Sequence, residues 1–422
     1  MRAFVFPGQG SQFIGMGKDL AEAFPEAREV FEQVDDALSQ KLFALMTTGA
    51  ESDLNLTENT QPALMAVSMA IVKVLTGQGG LNLGTSAQFL AGHSLGEYSA
   101  LTAAGSFDIA TAAKLLKLRG QAMQKAVPVG VGAMAAILGL DLPDVQAITA
   151  EATAKALNGE TVQSANDNSP GQVVISGHTG AVALAMQLAT EKGAKRALQL
   201  PVSAPFHCTL MQPAADAMQD ALNNTVIQIP CVPIVANVTA NAVSDPNVIR
   251  RLLVEQVTGT VRWRESVTWM KEQGVTEMIE LGAGLAAHEE LVIRREHHGA
   301  LPREALAVPA LERIRARMLD RPRRDRGLGI DLDDELGPAE PRHHEARRDR
   351  MDAVQALRDH AHERHVALDQ DVAQVARRQH VLVDESEAEQ GRQDQDPCDM
   401  PPQAQDGVAR DRFSGHRSFS FS

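Results

Sequence analysis

The chain has 422 residues, of which 44% are apolar and 4% aromatic. This length and composition fit two or three globular domains and exclude collagen-like and disulfide-scaffold proteins. The formal net charge of -14 argues against a nucleic-acid-binding protein, because binding to phosphates requires clustered Lys and Arg. The three cysteines, Cys208, Cys231 and Cys398, match no disulfide framework or zinc site, and the sequence shows no signal peptide or membrane-spanning segment. We therefore expect a cytoplasmic protein.

The first 130 residues alternate predicted strands and helices, which favours an α/β fold. A glycine-punctuated loop, Pro7–Gln12, follows the first strand. The apolar patterns predict a strand at Arg2–Phe6, helices at Glu22–Leu38 and Pro62–Leu75, a strand at Gln88–Gly92, and a helix from Leu95 that continues over Leu101–Gly120.

Residues 132–202 follow a βαββαβ order, which is that of a ferredoxin-like fold. We expect residues 131–202 to be a ferredoxin-like insertion in a body formed by residues 1–130 and 203–284. The predicted elements of the insertion are Ala133–Leu138, Asp144–Leu157, Thr161–Ala165, Gln172–Ser176, Gly180–Lys192 and Ala197–Leu200. The body resumes with helices at Pro213–Leu222, Val248–Gln256 and Trp263–Gln273 and strands at Val232–Asn237 and Thr276–Leu281.

The composition changes at residue 285. Residues 285–422 contain 22 Arg, no Lys and 10 of the 13 His. A natural charged segment would use both Lys and Arg, so we interpret this tail as a frameshifted or mistranslated product of GC-rich DNA. The alternative is a charged, partly helical appendage over Met351–Val383. A metal site at His360, His362 and His365 is disfavoured, because the whole segment is rich in His.

The segment Gly92–Gly96 fits the G-x-S-x-G pattern of a nucleophile elbow, with Ser94 at its centre. A predicted strand precedes it and a predicted helix follows, as the elbow requires. The N-terminus of that helix would offer N–H groups to a developing oxyanion.

A serine nucleophile needs a base. Before residue 285, the histidines are His93, His178 and His207. His93 is adjacent to Ser94 and would point away from it, and His178 is best interpreted as a loop residue. His207 follows a loop stiffened by Pro205, which favours it as the base; Cys208 is a weaker candidate nucleophile.

Four motifs occur in an order and at a spacing that resemble malonyl-CoA:acyl carrier protein transacylases, over residues 1–284. The resemblance implies an α/β fold with a hydrolase-like, three-layer body, a parallel sheet and an inserted ferredoxin-like subdomain. It also implies malonyl transfer from malonyl-CoA to acyl carrier protein in fatty acid biosynthesis, with no cofactor or metal, by a monomer. The motifs are Phe6–Gln12, Gly92–Tyr98, Asn168–Ile175 and Pro201–His207.

The resemblance also implies roles for individual residues. Ser94 would be the nucleophile and His207 the general base and acid. Arg119 would bind the free carboxylate of the substrate, although from the sequence alone a solvated cation at a helix end is the simpler interpretation. The remaining implied residues are Gln9 and Leu95, whose N–H groups would form the oxyanion hole, Gln256, whose carbonyl would orient His207, and Phe206, which is typical of malonyl selectivity.

The chain departs from the family after Gly284, where a Lys-containing stretch, a helix and a final strand would be expected. Loss of that strand would expose a sheet edge. Three other functions stay open. A serine esterase or thioesterase would need an Asp or Glu between Ser94 and His207 in chain order and would not need Arg119. An acyltransferase domain of a megasynthase is disfavoured by the start at Met1, directly before the first strand. A non-catalytic interaction protein would bind its partner through the tail.

Overall fold

The computed structural model describes residues 1–202 and 204–283 and the backbone of residues 295–296. All of these residues belong to one compact unit, Met1–Arg324. The predicted tail, including the segment Met351–Val383 and its histidines, otherwise lies outside the described residues.

The strands in the described part of the chain fall into two sheets, of six and of four strands. Their bounds are β1 Arg2–Phe6, β2 Phe89–Gly92, β3 Gly132–Leu138, β4 Val162–Ser169, β5 Gln172–His178, β6 Arg196–Gln199, β7 Ile234–Ala236, β8 Asn241–Val243, β9 Glu277–Glu280 and β10 Arg295–Glu296.

The helices of the described residues include two short 3₁₀ turns, Leu157–Gly159 and Thr209–Met211. The α-helices are α1 Lys18–Ala23, α2 Pro25–Leu38, α3 Leu42–Thr48, α4 Glu51–Leu54, α5 Thr57–Gly77, α6 Leu83–Ser86, α7 Gly96–Ala103, α8 Ile109–Lys125, α9 Leu142–Lys155, α10 Thr179–Glu191, α11 Gln212–Asn223, α12 Pro246–Thr258 and α13 Trp263–Glu272.

The six-stranded sheet has the order β10-β9-β1-β2-β7-β8. Strands β9, β1, β2 and β7 run parallel, and β8 and β10 are antiparallel at the two edges. Side chains of β1 alternate between two cores, because successive residues of a strand point to opposite faces. Phe4 and Phe6 pack in the main core, and Ala3 and Val5 pack on the other face with Met270 of α13. The protein is thus a mixed α/β fold with a parallel sheet, as predicted.

The four-stranded sheet is antiparallel and has the order β4-β5-β3-β6. Its elements follow the βαββαβ order read from the sequence. Ala135 and Ile137 of β3 pack in a separate core with α9 and α10. Met134 and Ala136 point the other way and join the main core. Both faces of β3 are therefore buried, which explains why its sequence is apolar throughout rather than alternating.

The start of helix α5 differs from the sequence prediction. The helix was expected to begin at Pro62, but it begins at Thr57 and Pro62 lies inside it. The helix is long and apolar enough to cross a membrane by length and composition, yet 83% of its apolar window is buried inside the protein. This burial identifies α5 as a core helix.

The continuous helix predicted over Leu101–Gly120 is wrong. The chain breaks between α7 and α8, where Gly105 adopts a φ of 80° that a right-handed helix excludes. Asp108 then starts α8 as an N-cap, because its carboxylate accepts a hydrogen bond from the Thr111 N–H at 2.6 Å. A similar break at Phe24 divides the helix predicted over Glu22–Leu38.

The edge of the six-stranded sheet next to β9 was expected to be open. In the structure Arg295 and Glu296 pair antiparallel with Ile279 and Met278. This two-residue strand covers the middle of β9.

Candidate active site

Ser94 lies on the sharp turn between β2 and α7, with a left-handed φ of 54°. Glycine is required on both sides of it by close approach of the backbone. A Cβ atom at Gly92 would lie 1.9 Å from the carbonyl oxygen of Gly96, and one at Gly96 would lie 2.4 Å from the carbonyl oxygen of Phe6. The G-x-S-x-G pattern therefore forms the strained elbow that the sequence predicted.

The hydroxyl of Ser94 meets the ring of His207. Ser94 Oγ lies 2.8 Å from His207 Nε2, and His207 Nδ1 lies 2.8 Å from the backbone carbonyl oxygen of Gln256. A carbonyl can only accept, so the proton of the neutral ring is on Nδ1 and Nε2 accepts from the Ser94 hydroxyl. The pair has the geometry of a nucleophile and its base.

The ring of His207 is held neutral. Burial, together with the Arg119 cation, lowers the pKa of His207 to about 3. The side chain is 3% exposed. No carboxylate among the described residues bonds to this ring, and the carbonyl of Gln256 occupies the position that an Asp or Glu takes in an esterase triad.

Arg119 lies in the middle of α8 and is 1% exposed, so the alternative of a solvated cation at a helix end is wrong. Its guanidinium donates from Nη1 to Gln61 Oε1 at 2.8 Å, and from Nη2 to Gln256 Oε1 at 2.8 Å and to Ser94 Oγ at 3.2 Å. The guanidinium carbon is also 5.8 Å from the ring centre of Tyr98. Burial lowers the pKa of Arg119. A buried cation thus lies beside the reactive hydroxyl.

Two residues of the site were missed by sequence reasoning. Asn237, directly after β7, accepts from the Ser94 N–H at 2.7 Å and donates to the Gly92 carbonyl at 2.7 Å. The carboxylate of Glu97 accepts from the Asn237 N–H at 3.0 Å and from Gln256 Nε2 at 2.8 Å. The sequence contained a signal for both residues, because Glu97 belongs to the elbow motif and Asn237 ends a predicted strand that runs parallel to β2.

The predicted oxyanion donors lie beside the elbow. A Cβ atom at Gly8 would lie 2.8 Å from the His93 carbonyl oxygen, which places the loop carrying Gln9 against the elbow. Leu95 immediately precedes α7. The backbone N–H groups of Gln9 and Leu95 donate to no residue in the described ranges. Phe206 is buried in the main core next to His207.

The remaining candidates lie outside the Ser94–His207 pair. His93 Nε2 hydrogen-bonds with Asn168 Oδ1 at 2.9 Å, and His178 Nδ1 accepts from the Thr161 N–H at 3.0 Å. The thiol of Cys208 donates to the Pro205 carbonyl at 3.1 Å. Within the described ranges, no group of three His, Cys, Asp or Glu side chains could hold a metal ion.

Comparison with known proteins gives one consistent family. Residues 3–298 match the family described as acyl transferase domain, so the match extends beyond the break in composition at residue 285. A malonyl CoA-acyl carrier protein transacylase from Escherichia coli (strain K12) is 47% identical over 282 residues, which cover 67% of this chain and 89% of that protein.

Solved structures agree. The acyl-carrier-protein-S-malonyltransferase from Bartonella henselae is 55% identical, with a TM-score of 0.65 over 67% of this chain and 88% of that one. A malonyl-transacylase in complex with a type II PKS acyl-carrier protein is 46% identical, with a TM-score of 0.64 over 67% and 89% of the two chains. The chain belongs to the acyl transferase domain family and, within it, to the malonyl CoA-acyl carrier protein transacylases.

Proposed function

We propose that this acyltransferase moves a malonyl group from malonyl-CoA to the phosphopantetheine thiol of acyl carrier protein, as in fatty acid biosynthesis, through a malonyl-Ser94 ester. One observation carries the proposal. The Ser94 hydroxyl lies within hydrogen-bond distance of both a neutral imidazole nitrogen of His207 and the guanidinium of Arg119. The imidazole supplies the base for acyl transfer, and the guanidinium supplies a partner for a substrate that carries a free carboxylate.

In the first half-reaction, His207 Nε2 takes the proton of the Ser94 hydroxyl as Oγ attacks the thioester carbonyl. The negative charge on the carbonyl oxygen is stabilised by the N–H groups of Gln9 and Leu95, which point to no described acceptor. As the C–S bond breaks, His207 returns the proton to the departing CoA sulfur. The products are free CoA and the malonyl ester of Ser94.

In the second half-reaction, the phosphopantetheine thiol gives its proton to His207 and attacks the ester carbonyl. The Ser94 oxygen leaves and takes the proton back from His207. The carbonyl of Gln256 keeps the Nδ1 proton in place throughout, so the ring presents the same nitrogen to both thiols. One Ser-His pair thus serves both steps without a cofactor or a metal.

Selectivity for malonyl would come from Arg119 and Phe206. The Arg119 bond to Ser94 Oγ is the longest of its three, at 3.2 Å, and a substrate carboxylate would replace it as the malonyl group arrives. A planar guanidinium matches a carboxylate with two hydrogen bonds. Phe206 next to His207 would limit the space for a branched malonyl group.

The same proposal covers organisation and location. Residues 1–130 and 203–284 would act as a hydrolase-like, three-layer body, and residues 131–202 as an inserted ferredoxin-like subdomain, in a cytoplasmic monomer. The strand order β4-β5-β3-β6 supports the subdomain assignment. Residues 285–422 would be a frameshifted or mistranslated tail, and the intact mass of the protein made from its native gene tests this.

Malonyl loading tests the function. The protein is mixed with malonyl-CoA alone, and intact mass followed by peptide mapping locates the adduct. We expect one malonyl group on Ser94 and none in Ser94→Ala. The matched control is Ser99→Ala, which removes another buried hydroxyl of the same motif region and should load normally. An adduct that persists in Ser94→Ala at another residue would show that the nucleophile is assigned incorrectly.

A further inference from the structure

The proposed mechanism makes no use of the buried carboxylate of Glu97. This residue lies in the first turn of α7 and is 2% exposed. One of its oxygens, Oε2, accepts both the Gln256 Nε2 donor at 2.8 Å and the Asn237 N–H at 3.0 Å. A carboxylate is rarely buried at such a depth unless hydrogen bonds compensate for the loss of its hydration.

Both partners of Glu97 hold the reactive serine. The amide of Gln256 donates from Nε2 to the Ser94 carbonyl at 3.0 Å and accepts from Arg119 Nη2 at Oε1. The side chain of Asn237 holds the Ser94 N–H at 2.7 Å. Glu97 therefore joins α7, the end of β7 and α12 around one turn of backbone.

The orientation of the Gln256 amide determines whether it can accept a hydrogen bond from Arg119. An amide group has a donor end and an acceptor end of similar shape, so its neighbours must decide which end faces which way. A carboxylate only accepts, and a guanidinium only donates. With Glu97 on one side, Nε2 turns toward the carboxylate and Oε1 turns toward Arg119. Without that acceptor, Nε2 keeps only the Ser94 carbonyl, at 3.0 Å, and Gln256 loses the shorter of the two bonds that fix its rotation.

We propose that Glu97 is a positioning residue for malonyl recognition: its carboxylate oxygen fixes the amide of Gln256, which in turn holds the Arg119 guanidinium beside Ser94. The inference rests on the proposed function, because it assigns to Arg119 the substrate carboxylate. It assigns to Glu97 no contact with substrate and no proton transfer.

This role works in both protonation states of Glu97. Burial raises the pKa of Glu97 to about 7, against hydrogen bonds from Gln256 and Asn237 and the charge of Arg119, which lower it. A carboxylic acid still has an oxygen that accepts, so protonation leaves the acceptor for Gln256 and Asn237 in place. A neutral amide at position 97 can offer the same oxygen.

The test compares kcat/KM for malonyl-CoA and acetyl-CoA in Glu97→Ala and Glu97→Gln. Acetyl has no carboxylate for Arg119 to bind, so it should depend far less on Arg119. We expect Glu97→Ala to lower the malonyl-to-acetyl ratio by about tenfold or more, since charged hydrogen bonds contribute about 1.5–3 kcal/mol. Glu97→Gln should keep the ratio within about threefold of the wild type, because its amide oxygen can accept both bonds. The control is Glu277→Gln, a buried carboxylate at the start of β9, at the opposite end of the sheet, which should leave the ratio unchanged.

Equal losses for the two donors in Glu97→Ala would overturn the proposal, as would a Glu97→Gln ratio as low as that of Glu97→Ala. If Glu97→Ala does not fold, Gln256→Ala tests the same connection, because it keeps the backbone carbonyl for His207 and removes the amide. It should lower the ratio in the same direction, and equal losses would again overturn the proposal. Failure of the wild type to load malonyl would instead contradict the proposed function.

Discussion

The central strands of the six-stranded sheet and of the four-stranded sheet are buried on two faces, but the two sheets contribute differently to the site. In the first, parallel strands end on the same side, so the segments after β1, β2 and β7 meet there and bring Gln9, Ser94 and Asn237 together. In the second, antiparallel strands end on both sides. None of its residues bonds directly to the Ser94–His207 pair within the described ranges.

The four-stranded sheet instead supports the site from its edge strand β4. Asn168 hydrogen-bonds to His93, the neighbour of Ser94, and the buried Asp167 pairs with Arg264 of α13 at 2.8 Å. The parallel sheet thus brings the reacting groups together, whereas the antiparallel sheet supports them from β4 and exposes its other edge strand, β6, to solvent. Substitutions in the two sheets should therefore affect different steps.

The largest effect is expected at His207. His207→Ala should slow both half-reactions by about 10²- to 10⁴-fold, the range for loss of a general acid and base. The control is His178→Ala, whose ring bonds to Thr161 away from Ser94, and which should keep wild-type rates. Rapid-quench measurement of malonyl loading compares the two variants. A defect confined to His178→Ala would identify His178, and not His207, as the base.

The pH dependence of malonyl loading and of stability gives a second test of His207. Because burial and Arg119 lower the pKa of His207 to about 3, the ring stays neutral as the pH falls from 7 to 5, and loading should not follow an ordinary histidine titration near 6.5. The unfolded chain binds the extra proton from pH 6.5 downward and the folded chain does not. The free energy of unfolding should therefore fall as the pH drops through this window, and His207→Ala should remove that part of the slope.

A smaller and more selective effect is expected at Arg119. Arg119→Ala should lower kcat/KM for malonyl-CoA by about 10- to 100-fold, equivalent to about 1.5–3 kcal/mol for a charged hydrogen bond. Acetyl-CoA, which has no carboxylate, should lose far less. Lys117→Ala on the same helix removes a cation that pairs with Glu58 and should leave the ratio of the two donors unchanged. If Arg119→Ala harms both donors equally, Arg119 only supports the fold.

The smallest effect is expected for charge changes at the edge of the four-stranded sheet, on the docking of acyl carrier protein. An acidic carrier protein needs a basic patch, and the sequence offers two clusters. They are Lys192, Lys195 and Arg196 in residues 131–202, and Arg250, Arg251, Arg262 and Arg264 in the body. Most of these cations are paired. Lys192 bonds to Glu151 at 2.6 Å and Arg251 to Glu255 at 3.1 Å, and the other paired members are Arg262 with Glu265, Arg264 with Asp167, and Arg250 with the Thr225 carbonyl. Arg196, which starts the edge strand β6, and the preceding Lys195 are exposed, and neither forms a salt bridge with a described acidic residue. These two cations are the better candidates for an acidic carrier protein.

The double variant Lys195→Glu and Arg196→Glu should raise the KM for acyl carrier protein by about three- to tenfold, because reversal of surface charges mainly slows association. Malonyl loading from CoA should be unchanged, and the effect should shrink at high salt. Arg250→Glu with Arg251→Glu is the comparison for the body cluster. A rise in KM in that variant alone would move the docking surface to the body.

The sequence predicts local features better than distant ones. The elbow at Ser94 and strand β1 follow from motifs and apolar runs within a few residues, and the structure has both. The contact between His207 and the Gln256 carbonyl came from the family resemblance and is present at 2.8 Å. The roles of these residues stay predictions.

What the sequence could not supply depends on tertiary contacts. Glu97 and Gln256 meet across 159 positions of chain, and no local pattern gives such a pair. The apolar periodicity runs through Gly105, so it hides the break that lets α8 start at Asp108 and present Arg119 to the site. The start of α5 was missed because buried polar residues such as Thr57 and Asn59 resemble a loop in the sequence.

Both members of the proposed catalytic pair have left-handed backbone conformations, with φ of 54° at Ser94 and 57° at His207. Each such conformation is unfavourable by about 1–2 kcal/mol for a residue with a side chain, and glycine would relieve it. Stability and activity therefore compete most directly at Ser94, whose side chain is small. At Ser94 a glycine would relieve this strain and lose only a small hydroxymethyl group, whereas at His207 the cavity left by the buried ring would offset the relief. A selection for heat resistance alone would therefore enrich Ser94→Gly before His207→Gly, and would discard the reaction.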